Sequence, residues 1–372
     1  MAEARRPIRV LVVDDSAVMR KLLPIVLQHD PDVEVVATAV NGVVGLRKLA
    51  QFRPDVVTLD LVMPGMDGLE VLREIVTQDG TPVIVVSAHT AEDAALTAAA
   101  LSTGAVDVVA KPRSDQPGGL ESLSRELRSK LYAVAGRRLR RLQSPPLSAC
   151  APAKAIPGIA ATRVVAVAAS TGGPAALAHL LPGLPVDLAA AVVVVQHMPE
   201  GFTGMLAARL DQTCPLRVEE ARDGDRLQHG RVLIARGGRH LRVRAAAGGP
   251  VALFGAGPPV AGHRPSADVL FESVAAAFGP QCIGVVLTGM GEDGAAGLLA
   301  VHQARGFTIV QDEDSSVVFG MPRAAVARGG ADQVLPLERI AESIVAAVRR
   351  KAQREPAPTP LALPAGPQGE DP

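Results

Sequence analysis

Aromatic side chains are scarce in this chain of 372 residues: it has no Trp, one Tyr and seven Phe. That scarcity argues against platforms on which nucleic-acid bases stack. It also leaves the core to Val, Leu, Ile and Ala. Cysteine is rarer still. Cys150, Cys214 and Cys282 are odd in number and far apart, which excludes a disulfide framework or a zinc site and fits a reducing compartment. Neither sign of charge is in excess, since 38 Lys and Arg balance 38 Asp and Glu. A neutral chain has no overall electrostatic footprint for DNA or RNA. No apolar run reaches the ~18 residues needed to span a bilayer, and the charged stretch Met1 to Pro7 does not read as a signal peptide. The expectation is a soluble, cytoplasmic protein with no nucleic-acid partner and no direct membrane insertion.

What is present is ample core. Hydrophobic residues make up 48 % of the chain, and its length suits two domains or slightly more. The first half alternates apolar runs with helical patterns. Strands are predicted at Ile8 to Val13, Val33 to Ala37, Pro54 to Leu59, Pro82 to Val86 and Ala105 to Ala110, with helical segments between them. Such alternation predicts a doubly wound parallel sheet of five strands with helices on both faces. Right-handed crossovers then leave every strand's carboxyl end on one edge.

That edge collects Asp14, Asp15, Asp60, Ser87 and Lys111. Any one of them reads as a strand-end cap, but five at strand ends read as a site. Converging carboxylates repel unless a hard cation neutralises them, and an all-oxygen set suits Mg²⁺. An Asp beside such a metal can act as a nucleophile towards phosphorus. Lys111 supplies a point charge to phosphoryl oxygens and Ser87 a hydroxyl donor. With the loop Asp60-Leu61-Val62-Met63-Pro64-Gly65-Met66-Asp67-Gly68, residues 8 to about 130 resemble a response-regulator receiver domain of the flavodoxin-like type. The resemblance implies Asp60 as phosphoacceptor, and Asp14, Asp15, Asp60 and the Val62 carbonyl as metal ligands. It further implies Ser87 and Lys111 as phosphate-sensing residues and a histidine kinase as phosphodonor. Val108 departs from the pattern, because many receivers carry an aromatic there.

Leu120 to Leu142 reads as a charged helix, ending in the cluster Arg137, Arg138, Arg140 and Arg141. That cluster is one turn long and suits a solvated helix end. Ser144 to Gly158 is rich in Pro and Ala, as a linker is. The domain plan is therefore 1–130, a linker over 131–162, a second domain over 163–350 and a disordered, Pro-rich tail over 351–372.

The second domain opens on Val164 to Ala169, an apolar run that stops at Ser170-Thr171-Gly172-Gly173-Pro174. Further strands are predicted at Ala190 to Val195, Ile283 to Leu287 and Thr308 to Val310. Arg231 to Ala235 and Leu241 to Arg244 read as a hairpin across Gly237-Gly238, and Val251 to Phe254 as a further strand. Ser266 reads as the cap of a helix running to Phe278. Ser170, His197 and Asp293 each fall just past an apolar strand. A serine hydroxyl needs a neighbouring base, and the base needs an acidic group to orient it. The glycine-rich turn Thr288 to Gly294 leaves backbone N–H groups free for an oxyanion. Thr171 is a further oxyanion donor or simply a turn hydroxyl. His240 and His263 fall in loops that could line the cleft and carry no assigned chemistry.

Five dispersed blocks deepen this reading. They are Ser170 to Pro174, Gln196 to Pro199 with Phe202-Thr203, and His263 to Ser266 with Asp268 to Phe271. Leu287 to Gly291 with Asp293-Gly294, and Gln311 to Glu313 with Phe319 to Pro322, complete the set. Residues 163 to about 348 resemble the catalytic domain of the chemotaxis protein-glutamate methylesterases, the CheB family. The resemblance implies a Rossmann-like α/β domain with a mostly parallel sheet. It implies Ser170 as nucleophile, His197 as base and Asp293 as orienter, with Met290 and Thr171 in the oxyanion hole. The implied activity is hydrolysis of glutamate γ-methyl esters, with deamidation of glutamines, on methyl-accepting chemotaxis receptors. It needs no cofactor for the ester chemistry. Ala169 and Arg236 depart from the family pattern. An adaptor that has lost catalysis remains the rival. A DNA-binding regulator is weaker still, since no helix-turn-helix is readable.

Overall fold

The structure, a computed structural model, describes residues 6–63, 67–88, 91–112, 119–135 and 158–352. Residues 136–157 of the segment read as a linker, the arginine cluster among them, and residues 353–372 of the tail lie outside the described residues.

The first half runs β1 (Ile8–Val13), α1 (Ala17–Gln28), β2 (Val33–Ala39), α2 (Gly42–Phe52), β3 (Val56–Leu59), α3 (Gly68–Gln78), β4 (Val83–Ser87), α4 (Ala91–Thr103), β5 (Asp107–Ala110) and α5 (Gly119–Val134). The strands form one sheet in the order β2-β1-β3-β4-β5, and every neighbouring pair is parallel. Both faces are covered, so β3 and β4 are buried at every residue, and their apolar runs are continuous rather than alternating. Side-chain caps start three of the helices. Ser16 accepts from the Met19 N–H, Asn41 from Val44 and Asp67 from Leu69. On α5, Leu123, Leu127, Leu131 and Val134 are buried on one stripe and pack with Val10, Val12 and Ile84.

The second half runs β6 (Val164–Ala169), α6 (Gly173–Leu180), β7 (Ala191–Gln196), α7 (Thr203–Thr213), β8 (Arg217–Glu220), β9 (Arg231–Ile234), β10 (His240–Arg244), β11 (Val251–Gly255), α8 (Ala267–Phe278), β12 (Cys282–Val286), α9 (Ala295–Gln303), β13 (Phe307–Gln311), α10 (Met321–Ala327), β14 (Gln333–Leu335) and α11 (Leu337–Ala352). Seven strands form a parallel sheet in the order β14-β13-β12-β6-β7-β9-β8. β6 is central. From it the chain first fills one side through β7, then returns to the other side through β12. That makes the carboxyl ends of β6 and β12 the topological switch point, where open α/β sheets bind ligands.

One expectation fails here. β9 and β10 do not form a hairpin. β9 lies between β7 and β8, parallel to both, and β10 pairs antiparallel with β11 in a separate two-stranded sheet. The reason lies in burial. Val232, Leu233 and Ile234 are all inaccessible and need cover on both faces, whereas β10 buries only alternate residues after its start. Periodicity therefore separates the two runs that the glycine pair seemed to join. β8, β14 and α10 were not foreseen. Three of the four residues of β8 are charged and β14 has three residues, so neither carries much apolar signal.

The two halves share packing. Side chains of both sheets, Leu59 and Val108 with Val165 and Val192 among them, belong to one buried cluster. Helix α4 packs against α6 and α7. One backbone bond crosses directly, from the Gly172 N–H to the Val106 carbonyl at 3.0 Å.

Candidate active site

At the carboxyl edge of the first sheet, Asp14, Asp15 and Asp60 bring carboxylate oxygens within 4.8 Å of one another. Asp14 and Asp60 are buried and Asp15 is exposed. The Lys111 ammonium lies 2.6 Å from Asp60 Oδ2 and 3.1 Å from Asp14 Oδ2. Burial raises the Asp60 carboxyl above its ordinary range, and Lys111 offsets this only in part. Burial also works against the charge on Lys111, but Asp60 and Asp14 on either side outweigh it and hold the ammonium protonated. Ser87 is buried and accepts a bond from the Thr97 hydroxyl at 3.0 Å. Val62 donates its N–H to Asp60 Oδ1 at 3.3 Å. Three carboxylates at one edge are an oxygen donor set that fits a hard divalent cation such as Mg²⁺. Val108, at the centre of β5, is fully buried.

At the carboxyl edge of the second sheet, Ser170 follows β6, His197 follows β7 and Asp293 lies beyond β12. Ser170 is nearly enclosed, at 7 % exposure, and its N–H donates to the Thr288 carbonyl at 3.1 Å. Gly172 adopts φ 79°, and a Cβ there would lie 2.6 Å from Val317 Cβ. Glycine alone suits that turn. Pro174 sits in the first turn of α6. A Cβ on Gly289 would lie 2.8 Å from Ser170 Cβ, so glycine lets the 288–291 turn close against the serine.

His197 Nε2 and Asp293 Oδ2 are 2.7 Å apart. Asp293 does not cap the helix after it. It sits on the N-terminus of α8, accepting from the Ser266 hydroxyl at 2.7 Å, the Ala267 N–H at 2.7 Å and the Asp268 N–H at 3.2 Å. Burial alone would raise this carboxyl. The hydrogen bond and attraction of His197, with the Ala267 and Ser266 donors, hold it down to about 2. Asp293 is thus a fixed anion, and His197 Nδ1 is buried with no hydrogen-bond partner among the described residues. The His263 ring stacks on His197 with centroids 3.9 Å apart and planes within 4°. Burial, and then repulsion from His197, push the His263 pKa down to about 4, so this ring is neutral near pH 7.

The sequence-predicted residues therefore fall into two sets at two sheet edges. Within the second set, the Met290 and Thr171 N–H groups bond to nothing among the described residues. Four contributors went unassigned in the sequence. Gln196 Nε2 donates to the carbonyls of both Ser170 (2.9 Å) and His197 (3.1 Å), tying the two loops together. Gln311 accepts from the Thr288 N–H at 2.7 Å, and Thr288 Oγ1 donates to the Thr171 carbonyl at 3.0 Å. Ser266 is the fourth, read only as a helix cap, a role it also fills. The available signal was a polar residue closing a buried strand, as Gln196 closes the apolar run of β7 and Gln311 closes β13. His240 supports the site from below, accepting from the Ser266 N–H and bonding through Nε2 to the Pro258 carbonyl.

Known proteins carry the same two halves. A family model described as CheB methylesterase matches residues 165–344, and one described as response regulator receiver domain matches residues 10–117. A "Protein-glutamate methylesterase/protein-glutamine glutaminase 2" of Koribacter versatilis is 48 % identical over 94 % of this chain and 98 % of its own length. The chain belongs to the CheB methylesterase family. A relative from Symbiobacterium thermophilum, named protein-glutamate methylesterase/protein-glutamine glutaminase, is 47 % identical over 92 % of this chain and 98 % of its own. The crystal structure of the Thermotoga maritima CheB methylesterase catalytic domain is 40 % identical, with a TM-score of 0.49, covering 50 % of this chain and 97 % of that one. No helix among the described residues is long and apolar enough to cross a membrane.

Proposed function

We propose that this protein is a phosphorylation-activated hydrolase that demethylates glutamate γ-methyl esters, and deamidates glutamines, on chemoreceptors during chemotactic adaptation. The observation that carries the reading is the 2.7 Å pair of His197 Nε2 with Asp293, at a switch point shared with Ser170.

Asp293 binds Nε2, which leaves Nδ1 as the nitrogen for the serine proton. In the first step Ser170 Oγ bonds to the ester carbonyl carbon while its proton passes to His197. The oxyanion that forms is received by the N–H groups of Met290 and Thr171. The carbon–methoxy bond then breaks, and the proton on His197 leaves with methanol. Water attacks the acyl-serine with His197 again as base, giving a glutamate carboxylate and free Ser170. With glutamine, ammonia leaves instead. His263 holds the His197 ring in plane, and none of these steps needs a cofactor.

The first half supplies control. A histidine kinase is the proposed phosphodonor and Asp60 the acceptor. Asp14, Asp15, Asp60 and the Val62 carbonyl would hold Mg²⁺, which supplies charge neutralisation around the phosphoryl oxygens. Ser87 and Lys111 contact the phosphoryl group. Lys111 ends the segment that begins at Val106, the residue bonded to Gly172 beside the nucleophile. Ser129 on α5 bonds to Met290 Sδ at 3.1 Å, and Val318 is buried in the core of the first half. Ser170 is thereby held enclosed, and phosphorylation shifts the population towards an open arrangement. The buried thiols of Cys214 and Cys282, which donate to the Leu181 and Gly279 carbonyls, suit the cytoplasm.

The test is methanol release from methylated receptor. Ser170→Ala lowers it by at least ~10⁴-fold, and retained turnover would remove the serine from the mechanism.

A further inference from the structure

Beside the cleft, five exposed arginines lie on three connected segments: Arg236 and Arg239 before β10, Arg242 and Arg244 on it, and Arg264 next to the stacked His263. The segments are joined. The Gly238 N–H donates to the Arg264 carbonyl at 3.1 Å, and Gly237 packs against the backbone of Pro199 and Glu200, just past His197. Arg236 reaches Glu200 at 3.0 Å, and Arg264 donates to the Gly257 carbonyl at 3.2 Å. Arg239, Arg242 and Arg244 make no ion pair among the described residues, whereas Arg231, Arg217 and Arg328 elsewhere in the same half all do. Acidic groups on the adjoining elements do not balance the arginines. Glu200 is engaged by Arg236, while Asp223 and Asp268, which accept from the Phe254 and Gly297 N–H groups, keep their charge, as does Glu272, so that four carboxylates offset the five arginines only in part. The belt stays exposed while the first half is docked.

We infer that this belt is a docking surface for an acidic helical segment of the protein substrate, and that it selects esterified or amidated side chains lying among carboxylates. The inference rests on the esterase reading above. The ester itself is neutral, so charge recognition must come from its neighbours. On a helix, side chains three and four residues away stand on the same face, about one 5.4 Å turn along. Arg242 and Arg244 are two strand residues apart, roughly 6.6 Å, a spacing that matches carboxylates on successive turns. Guanidinium forks pair with carboxylates in two-pronged geometry, and arginine suits this role better than lysine. Each turnover adds a negative charge to the same face, so the surface also holds the segment for hydrolysis at neighbouring positions.

The test uses the full chain, activated by a small-molecule phosphodonor, and two helical peptides. Each carries one glutamate γ-methyl ester, flanked at the i±3 and i±4 positions by glutamates in one peptide and by lysines in the other. The wild type is expected to favour the acidic peptide at least tenfold in kcat/KM at low salt, and the advantage should shrink as salt rises. Arg239→Glu combined with Arg242→Glu should reverse the preference. Because each enzyme is its own control, a loss of folded protein does not alter the ratio. The same ratio in both enzymes would overturn the docking surface. Methanol release from neither peptide by the wild type, with retained release from intact methylated receptor, would overturn the recognition of an isolated acidic helix. Release from no methylated substrate at all would overturn the esterase reading beneath it.

Discussion

Asp60 and Asp293 are both buried aspartates just past the carboxyl ends of parallel strands, yet their environments drive them in opposite directions. Burial raises Asp60, and its main partner is one ammonium shared with Asp14. Asp293 is more fully surrounded, but four donors aim at its two oxygens, three of them from the N-terminus of α8. Neutral dipoles fixed in the fold stabilise an anion without competing charge. The contrast separates an aspartate kept reactive from one kept inert. On the proposed mechanism Asp60 bonds to phosphorus through a carboxylate oxygen, while Asp293 remains a carboxylate and orients an imidazole.

The strongest way to break this contrast is to neutralise Asp293. Asp293→Asn should lower kcat roughly 10⁴-fold, because an amide no longer favours the tautomer with its proton on Nε2. Steady-state methanol release measures it, and a loss below tenfold would mean that Asp293 serves α8 rather than the reaction. Asp60→Asn probes the other side. Its basal hydrolysis should persist while the response to a small-molecule phosphodonor disappears, and an undiminished response would detach control from this carboxylate.

Much of the contrast could be read in the chain itself. Asp14, Asp60, Ser87 and Lys111 follow apolar runs, so alternation of strands and helices was enough to gather them at one edge. Ser170 and His197 were legible in the same way, with β6 and β7 buried throughout. Asp293 was less so, because nothing local reveals that it packs on α8, some 26 residues earlier in the chain. Gln196 shows the limit more clearly. Its amide joins two carbonyls on different loops, a role that exists only once β6 and β7 are paired. The misassigned hairpin at Gly237-Gly238 has the same origin. Turn residues mark a change of direction, but which neighbour a strand takes depends on the burial of both its faces.

Smaller effects sharpen the comparison. Ser266→Ala removes one donor from Asp293, a hydrogen bond to a charged group worth about 1.5–3 kcal/mol. It should lower kcat at least tenfold and raise the pH at which the acid limb of the rate profile begins. An unchanged limb would mean that Ser266 acts on the fold alone. The same carboxylate contributes to stability. Its folded pKa of about 2 lies below the ordinary value of 3.8, so the folded state binds fewer protons than the unfolded one between these values. Stability from this group is fully present above pH 4 and is lost as pH falls through 2, by about 2 kcal/mol. Urea unfolding of the wild type and of Asp293→Asn between pH 5 and pH 2.5 should show the extra acid sensitivity in the wild type only.

A serine nucleophile whose access depends on Asp60 stands or falls on one rate. The direct measurement is the rate at which a serine-directed fluorophosphonate labels the full chain, with the modified residue located by mass spectrometry. One adduct is expected, at Ser170, that forms faster with phosphodonor in the wild type and at an unchanged slow rate in Asp60→Asn. Labelling confined to another residue, or a Ser170 rate indifferent to phosphodonor in the wild type, would contradict it.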